Sequence, residues 1–354
     1  MATIIENSFR RSDVVRQPAE PGNKLVDPGE WYADEFKDSD HWVYQLSETE
    51  VAELLAAVDA VEARGLDIKD IKCDDVKLPG FTVGLKEIHD ELMDGRGFVL
   101  IRGLPVADMS RAQAAAAFWI IGAHLGTAIS QNSHGHVLGH VKDLGGDYAT
   151  QRGYLTKAFM NFHCDQCDIL GLCCLYPAKS GGQSRICSSV ALHNEMFKRR
   201  PDLAKELGWK FYRSRTNDVV GDDVPWYRAA VFTFHQGYFA ARGVSANIYK
   251  SQKLPGVPKF TDAQKEAMDM FKALASELSM SFYLEQGDMM FLMNHVALHA
   301  RSEFEDWPEP ERKRHILRLW LTTHGERPLP AEFAQQMVGI QVEGVELKAS
   351  LDAG

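Results

Sequence analysis

The sequence predicts a mixed α/β protein with a mainly β core, a jelly roll or double-sheet barrel with helices packed against its outside. Three observations carry this reading. The N-terminal third holds helical stretches opened by capping boxes. From about residue 130 onward, short strand-like runs separated by turn residues take over. No proline- or glycine-rich linker, internal repeat or low-complexity segment divides the chain, so one core must accommodate both halves.

Taken in order, residues 1–30 are polar and carry prolines, and read as an arm. Ser47-Glu-Thr-Glu50 forms a capping box, and Val51, Leu54, Leu55, Val58 and Val61 follow at helical spacing up to Gly65. A second helix is expected over 85–93, then a buried strand over 97–105. Ser110-Arg-Ala-Gln113 opens an alanine-rich helix to about 124, and 126–132 reads as a strand entering a loop. Further strands are expected over 137–143, 160–175, 184–189, 208–213, 229–234, 237–242, 282–293 and 314–322. They are interrupted by one helix capped at Thr261 and running to about 278. The expected organisation is an arm (1–30), a single domain (31–330) and a tail (331–354).

Composition narrows the function. The 354 residues are 45% hydrophobic and 25% charged, which provides for an ordinary core. A net charge of -10 without basic blocks argues against a nucleic-acid partner. The longest apolar run, 114–125, is too short to span a bilayer, and the N-terminus lacks an apolar leader core. No membrane association and a cytoplasmic location are therefore expected; homo-oligomerisation is left open. Six cysteines, five of them between 164 and 187, suit reduced buried thiols rather than a disulfide framework. Cys164, Cys167, Cys173 and Cys174 as a zinc site is the rival reading, but they lie along one run and cannot easily converge.

The chemistry centres on Asn161-Phe-His-Cys-Asp-Gln-Cys-Asp168. Read as a strand, His163 and Asp165 share a face, so a nitrogen and a carboxylate oxygen converge with Cys164 turned away. Such a pair is two thirds of a two-histidine, one-carboxylate facial triad for iron(II). The third ligand must come from far along the chain, and 287–301 offers His295 and His299.

As a set, these residues resemble the taurine dioxygenase-like (TauD/TfdA) iron(II)/2-oxoglutarate oxygenases of the clavaminate synthase-like superfamily, over roughly residues 95–325. His163-Cys-Asp165 is similar to the family's H-x-D pair, and Leu298-His-Ala-Arg301 to its distal-histidine motif, which selects His299. Pro177-Ala-Lys-Ser-Gly-Gly-Gln-Ser184 resembles its strand-connecting turn, and Arg314-His-Ile-Leu-Arg318 its two-arginine strand. The resemblance implies a double-stranded β-helix that binds Fe(II), 2-oxoglutarate and O2. It implies decarboxylation of 2-oxoglutarate to succinate and CO2 with oxidation, generally hydroxylation, of a C–H bond in a small organic substrate.

His163, Asp165 and His299 are then the metal ligands. Arg314, a fork for a carboxylate, and Ser184 take the cosubstrate. Arg318 serves either the cosubstrate or an anionic group of the substrate. Gln131, Asn132, Phe159 and Asn161 are candidate substrate contacts. The distance of fifteen positions from His299 to Arg314 is slightly long for the family, and Ser184 stands where threonine is usual. Retention of the carboxylate argues against halogenation, while desaturation or ring formation stays open. The readings from a different class are a zinc hydrolase and a module that binds 2-oxoglutarate without turning it over.

Overall fold

The computed structural model describes residues 8–146, 153–215 and 224–352. The N-terminal part runs β1 (Val43–Gln45), α1 (Glu48–Ala63), α2 (Thr82–Asp94), β2 (Phe98–Arg102), α3 (Arg111–Leu125), β3 (Thr127–Ala128) and β4 (Leu138–Val141). β5 (Met160–His163), β6 (Ile169–Tyr176), β7 (Ser180–Gly181) and β8 (Ser184–Ser188) follow. Next come α4 (Ser189–Arg199), α5 (Pro201–Glu206), β9 (Phe211–Ser214), β10 (Trp226–Ala229), β11 (Phe232–His235), β12 (Tyr238–Ala241) and α6 (Ala246–Ser251). The chain closes with α7 (Asp262–Glu277), β13 (Met280–Phe282), β14 (Met289–Met293), β15 (Ala297–Arg301), β16 (Phe304–Glu305), β17 (His315–Thr322) and α8 (Ala331–Ala334).

Two sheets face each other. The larger has the order β1-β2-β14-β6-β17-β3 with β4 also on β17; the smaller has the order β13-β8-β15-β5. All pairings are antiparallel except β1 with β2. Alternation on β17 shows how sequence fixes the layers. Leu317, Leu319 and Leu321 join the cluster that includes Phe118 of α3, whereas Ile316 and Trp320 join Leu170, Ile186, Met290 and Leu292 between the sheets. Arg318 shares the inner face with Ile316 and Trp320, so a cation is carried into the sandwich by the pleat.

Capping boxes at Ser47, Ser110 and Thr261 open α1, α3 and α7 as the sequence requires. Several expectations need correction. The expected 160–175 run is two strands, with residues 164–168 turning between β5 and β6. Over 282–293, β13 ends at Phe282 and β14 starts at Met289 as a turn at Gly287-Asp288 predicts; Gly287 has φ +90° and a Cβ there would lie 2.1 Å from the Leu104 carbonyl oxygen. Ser188 ends β8 by capping α4, a helix that the strand-like reading of 184–189 did not foresee. Residues beyond 330 run back over the core. Phe333 and Met337 bury against Ala240, and Lys348 pairs with His136.

Candidate active site

His163 at the end of β5 and His299 in the middle of β15 are register partners on neighbouring strands of the smaller sheet. Their ring centroids stand 4.2 Å apart. Asp165 lies in the turn beyond β5, so the H-x-D geometry comes from a strand end plus a turn and not from two residues of one strand. One potential ligand atom from each of the three lies within 4.8 Å of the others. Among the described residues, no other group of His, Cys, Asp or Glu converges in this way.

Local bonding prepares each group. The His163 Nδ1 hydrogen bonds the Asn161 carbonyl oxygen at 2.8 Å, which leaves Nε2 its lone pair, 3.8 Å from Asp165 Oδ1. Burial, reinforced by His163 nearby, pushes the His299 imidazole down to about 3, so it is neutral; its Nδ1 is buried without a partner. Asp165 Oδ2 accepts from Trp320 Nε1 at 2.8 Å and from Arg318 Nη1 at 3.2 Å. Burial would raise its carboxyl, but Arg318, the two imidazoles and Trp320 outweigh that and hold it below the ordinary range. Two imidazole nitrogens and one carboxylate are the donor set that a ferrous ion takes.

The triad opens into a cavity between the sheets with about 600 Å³ of empty space, mouth included. Arg314, Ser184 and Arg318 line it, as do Tyr154, Met160 and Met290. Arg314 is 5% exposed, yet no described residue hydrogen bonds its guanidinium, and Nη1 is buried unpartnered. The guanidinium lies over the Phe304 ring, 5.1 Å from its centroid. Burial pushes it down to about 10, with only partial support from Cys174 and Asp306. A buried cation without an anion is costly, so this position fits a ligand carboxylate. Ser184 stands on the wall opposite Phe282 and Arg301 in the sheet. Gly182 has φ +70°, and a Cβ there would lie 3.3 Å from Phe304 Cβ and 3.4 Å from Arg314 Nε, so the turn can lie against that arginine only as glycine.

Arg318 is differently placed. Nε donates to Gln131 Oε1 at 2.8 Å, Nη1 pairs with Asp165, and the guanidinium covers the rings of Tyr154 and Trp320 at 4.4 and 4.9 Å. Gln131 in turn donates to the carbonyls of Val137 and Arg318, so it is a brace behind Arg318 and does not line the cavity. Asn132 is also off the cavity, bonding His134, His136 and the Ser130 hydroxyl within its own loop. Phe159 is 42% exposed and Asn161 is exposed. A register shift between His299 and Arg301 pairs Arg301 with Met160, and Met160 reaches the cavity instead of either neighbour.

His295, the other candidate, is occupied elsewhere. Its Nε2 bonds Asp168 Oδ1 at 2.8 Å, and Asp168 Oδ2 also accepts from the Thr323 amide. The cysteines are free and none joins the metal cluster. Asn294 Nδ2 donates to Cys167 Sγ at 2.9 Å and to its carbonyl at 3.2 Å, tying down the turn that carries Asp165. Sequence reasoning did not single out Asn294, Trp320 or Tyr154. Trp320 was legible in principle, two residues past Arg318 and hence on its face; the other two carry no local signal.

With this geometry in place, comparison with known proteins is informative. A family model described as "Taurine catabolism dioxygenase TauD, TfdA family" matches residues 62–320. The FR-33289 synthase of Streptomyces rubellomurinus is 29% identical over 319 residues, covering 88% of this chain and 94% of that protein. The taurine hydroxylase-like protein SAT17 of Stachybotrys chartarum is 29% identical over 317 residues, covering 84% and 79%. An asparagine oxygenase solved with Fe(II), (2S,3S)-3-hydroxyasparagine and succinate superposes with a TM-score of 0.63 at 15% identity, covering 87% of this chain and 100% of the other. That likeness shows the shared jelly-roll fold.

Proposed function

The chain belongs to the taurine catabolism dioxygenase TauD, TfdA family, and from that premise we propose that it hydroxylates a small polar organic substrate, with His163, Asp165 and His299 as iron ligands. It is an iron(II)/2-oxoglutarate-dependent oxygenase that uses Fe(II), 2-oxoglutarate and O2. When bound, iron and cosubstrate supply the oxidising power, O2 being reduced as 2-oxoglutarate loses CO2 to become succinate and a substrate C–H bond is oxidised.

The chain's own residues do the holding and orienting. His163 presents Nε2 because Asn161 fixes the other nitrogen. Arg318 and Trp320 engage Asp165 Oδ2, which leaves Oδ1 for the metal. Arg314 takes the distal carboxylate of 2-oxoglutarate, with Ser184 adding a hydroxyl. The apolar walls from Leu170, Leu172, Met290 and Ile316 limit water around the bound groups. Arg318 is assigned to positioning Asp165, since its hydrogen bonds are committed to Asp165 and Gln131. No helix among the described residues is long and apolar enough to cross a membrane.

The observation that carries the reading is Arg314, a buried guanidinium with no hydrogen-bonded anion among the described residues, in the same cavity as the three convergent ligands. The relatives' names, a synthase, a hydroxylase-like protein and an oxygenase bound to hydroxyasparagine, support hydroxylation of a small polar molecule. The test is anaerobic reconstitution with iron(II) and 2-oxoglutarate, followed by the weak visible charge-transfer band of the chelate. His299→Ala should abolish the band, Arg314→Met should weaken it, and His295→Ala should spare it in folded protein. Absence of a band in folded, metal-loaded wild type would refute the assignment.

A further inference from the structure

A second group of buried cations abuts the segment that carries His163, and nothing in the iron and 2-oxoglutarate reading uses it. Arg213 on β9 is the register partner of Tyr227 on β10, so the two side chains share one face of that hairpin. Arg242 follows β12 and donates from Nη2 to the Tyr227 hydroxyl at 3.2 Å. Arg213 is 1% exposed and Arg242 5%.

The chain holds these residues against the metal segment. Arg213 Nη2 donates to the Gly243 carbonyl at 2.9 Å, and a Cβ on Gly243 would lie 3.5 Å from His163 Cα and 3.6 Å from the Cys164 nitrogen. On the other side of Arg242, the Ala241 carbonyl accepts from Cys164 Sγ at 3.6 Å. Both residues flanking Arg242 therefore touch the turn beside the iron ligands.

Among the described residues the cluster has no bonded anion. The titratable groups among the described residues that reach Arg213 are Tyr227, Arg242 and Cys164, none of them a carboxylate, and burial pushes Arg213 down to about 10. Arg242 has no carboxylate partner among the described residues, and its cation lies over the rings of Tyr227 and Phe333 at 5.2 and 5.1 Å. Arg213 Nε and Arg242 Nη1 are buried donors without acceptors. The Tyr227 phenol responds to the field. Burial would raise it, but Arg242, Arg213 and Arg215 pull it below its ordinary value. Two guanidiniums and a phenol with spare donors make a receptor for an oxyanion.

We propose that Arg213, Arg242 and Tyr227 bind an oxyanion head of the organic substrate, a phosphonate, sulfonate or carboxylate, and so hold the substrate beside the His163 ligand segment. The proposal deepens the oxygenase reading and rests on it for the identity of the guest. It moves anion recognition away from Arg318, which already donates from Nε to Gln131 and from Nη1 to Asp165.

The test uses the full chain without metal, titrated calorimetrically with methylphosphonate, methanesulfonate and acetate, which separates the three head groups. At least one should bind the wild type. Arg242→Gln should weaken it tenfold or more and Tyr227→Phe about threefold to tenfold. Arg213→Gln joins the series if circular dichroism shows it folded; Arg242→Gln and Tyr227→Phe decide the matter if it is not. No binding by any of the three anions would overturn the proposal, as would binding that survives in both Arg242→Gln and Tyr227→Phe. The iron(II)/2-oxoglutarate band in the same variants separates the two readings. A normal band with no oxyanion site sinks only this proposal, and an oxyanion site without a band sinks the cofactor assignment.

Discussion

Replacing Arg314 with methionine should make the empty protein more stable while removing its grip on 2-oxoglutarate. The side chain is 5% exposed, donates no hydrogen bond to a described residue, and is pushed by burial down to about 10. A displacement of that size corresponds to roughly 3 kcal/mol of penalty on the charged form. Methionine fills similar length without charge, so after some loss of contact with Phe304 the net gain should be on the order of 1–2 kcal/mol. For a protein of this size that is a rise of a few degrees in Tm at most. On the binding side, deleting one partner of a buried charge pair costs about 2–5 kcal/mol, or roughly 30-fold to several thousandfold in affinity. Differential scanning calorimetry of metal-free protein gives the first number, and anaerobic titration of the chelate band gives the second. A variant that is less stable than wild type and binds 2-oxoglutarate within threefold of it would refute the reasoning, because Arg314 would then be a structural cation.

Further outcomes follow from neighbouring groups. Arg318→Met should let the Asp165 carboxyl rise, so metal affinity falls about 10- to 100-fold and the pH midpoint of cobalt(II) loading moves up; an unchanged midpoint would show that Trp320 alone suffices. His295→Ala should cost about 3–5 kcal/mol by stranding buried Asp168, yet leave the band per folded molecule intact; loss of the band at full folding would make His295 a ligand. Gly182→Ala forces a side chain onto φ +70° beside Arg314 Nε, and should weaken 2-oxoglutarate at least threefold with metal affinity unchanged by equilibrium dialysis. His193, enclosed by Phe197, Phe232, Phe234 and Phe239, is pushed by burial down to about 4. The unfolded chain protonates it near its ordinary value, so stability is full above that value and falls by up to about 3 kcal/mol as pH drops to 4. In His193→Phe, urea unfolding should lose that share of the acid dependence.

The sequence carried the order of the metal motifs but not the manner in which they meet. His163 and Asp165 look like strand residues because i and i+2 share a face, yet β5 stops at His163 and a turn delivers Asp165. The convergence was legible; its cause was not, since Asn294, 127 positions beyond Cys167 in sequence, sets the turn by bonding that residue. Asn161 lost its expected place to Met160 through a register shift, and a bulge depends on the partner strand. Gln131, expected as a substrate contact, is a buried amide whose oxygen braces Arg318 instead of meeting a guest. Arg213 and Arg242 were invisible as a pair, because in sequence a lone arginine on a strand reads as a solvated edge. Only the β9–β10 register and the contact of Gly243 with His163 make them a cluster.

The distribution of charge gives these separate placements one logic. Of the four buried arginines Arg213, Arg242, Arg314 and Arg318, one has a carboxylate bonded to it among the described residues. Arg318 pairs with Asp165, whereas Arg314, Arg213 and Arg242 have no carboxylate bonded to them among the described residues. A low-dielectric interior tolerates such an excess only if it is relieved when guests arrive. 2-Oxoglutarate brings two carboxylates, and an oxyanion-headed substrate brings at least one further negative charge. The empty chain is therefore electrostatically incomplete, and its Tm should rise more with cosubstrate and oxyanion together than with either alone. Equal rises with one and with both would mean that the two cationic sites answer to a single guest.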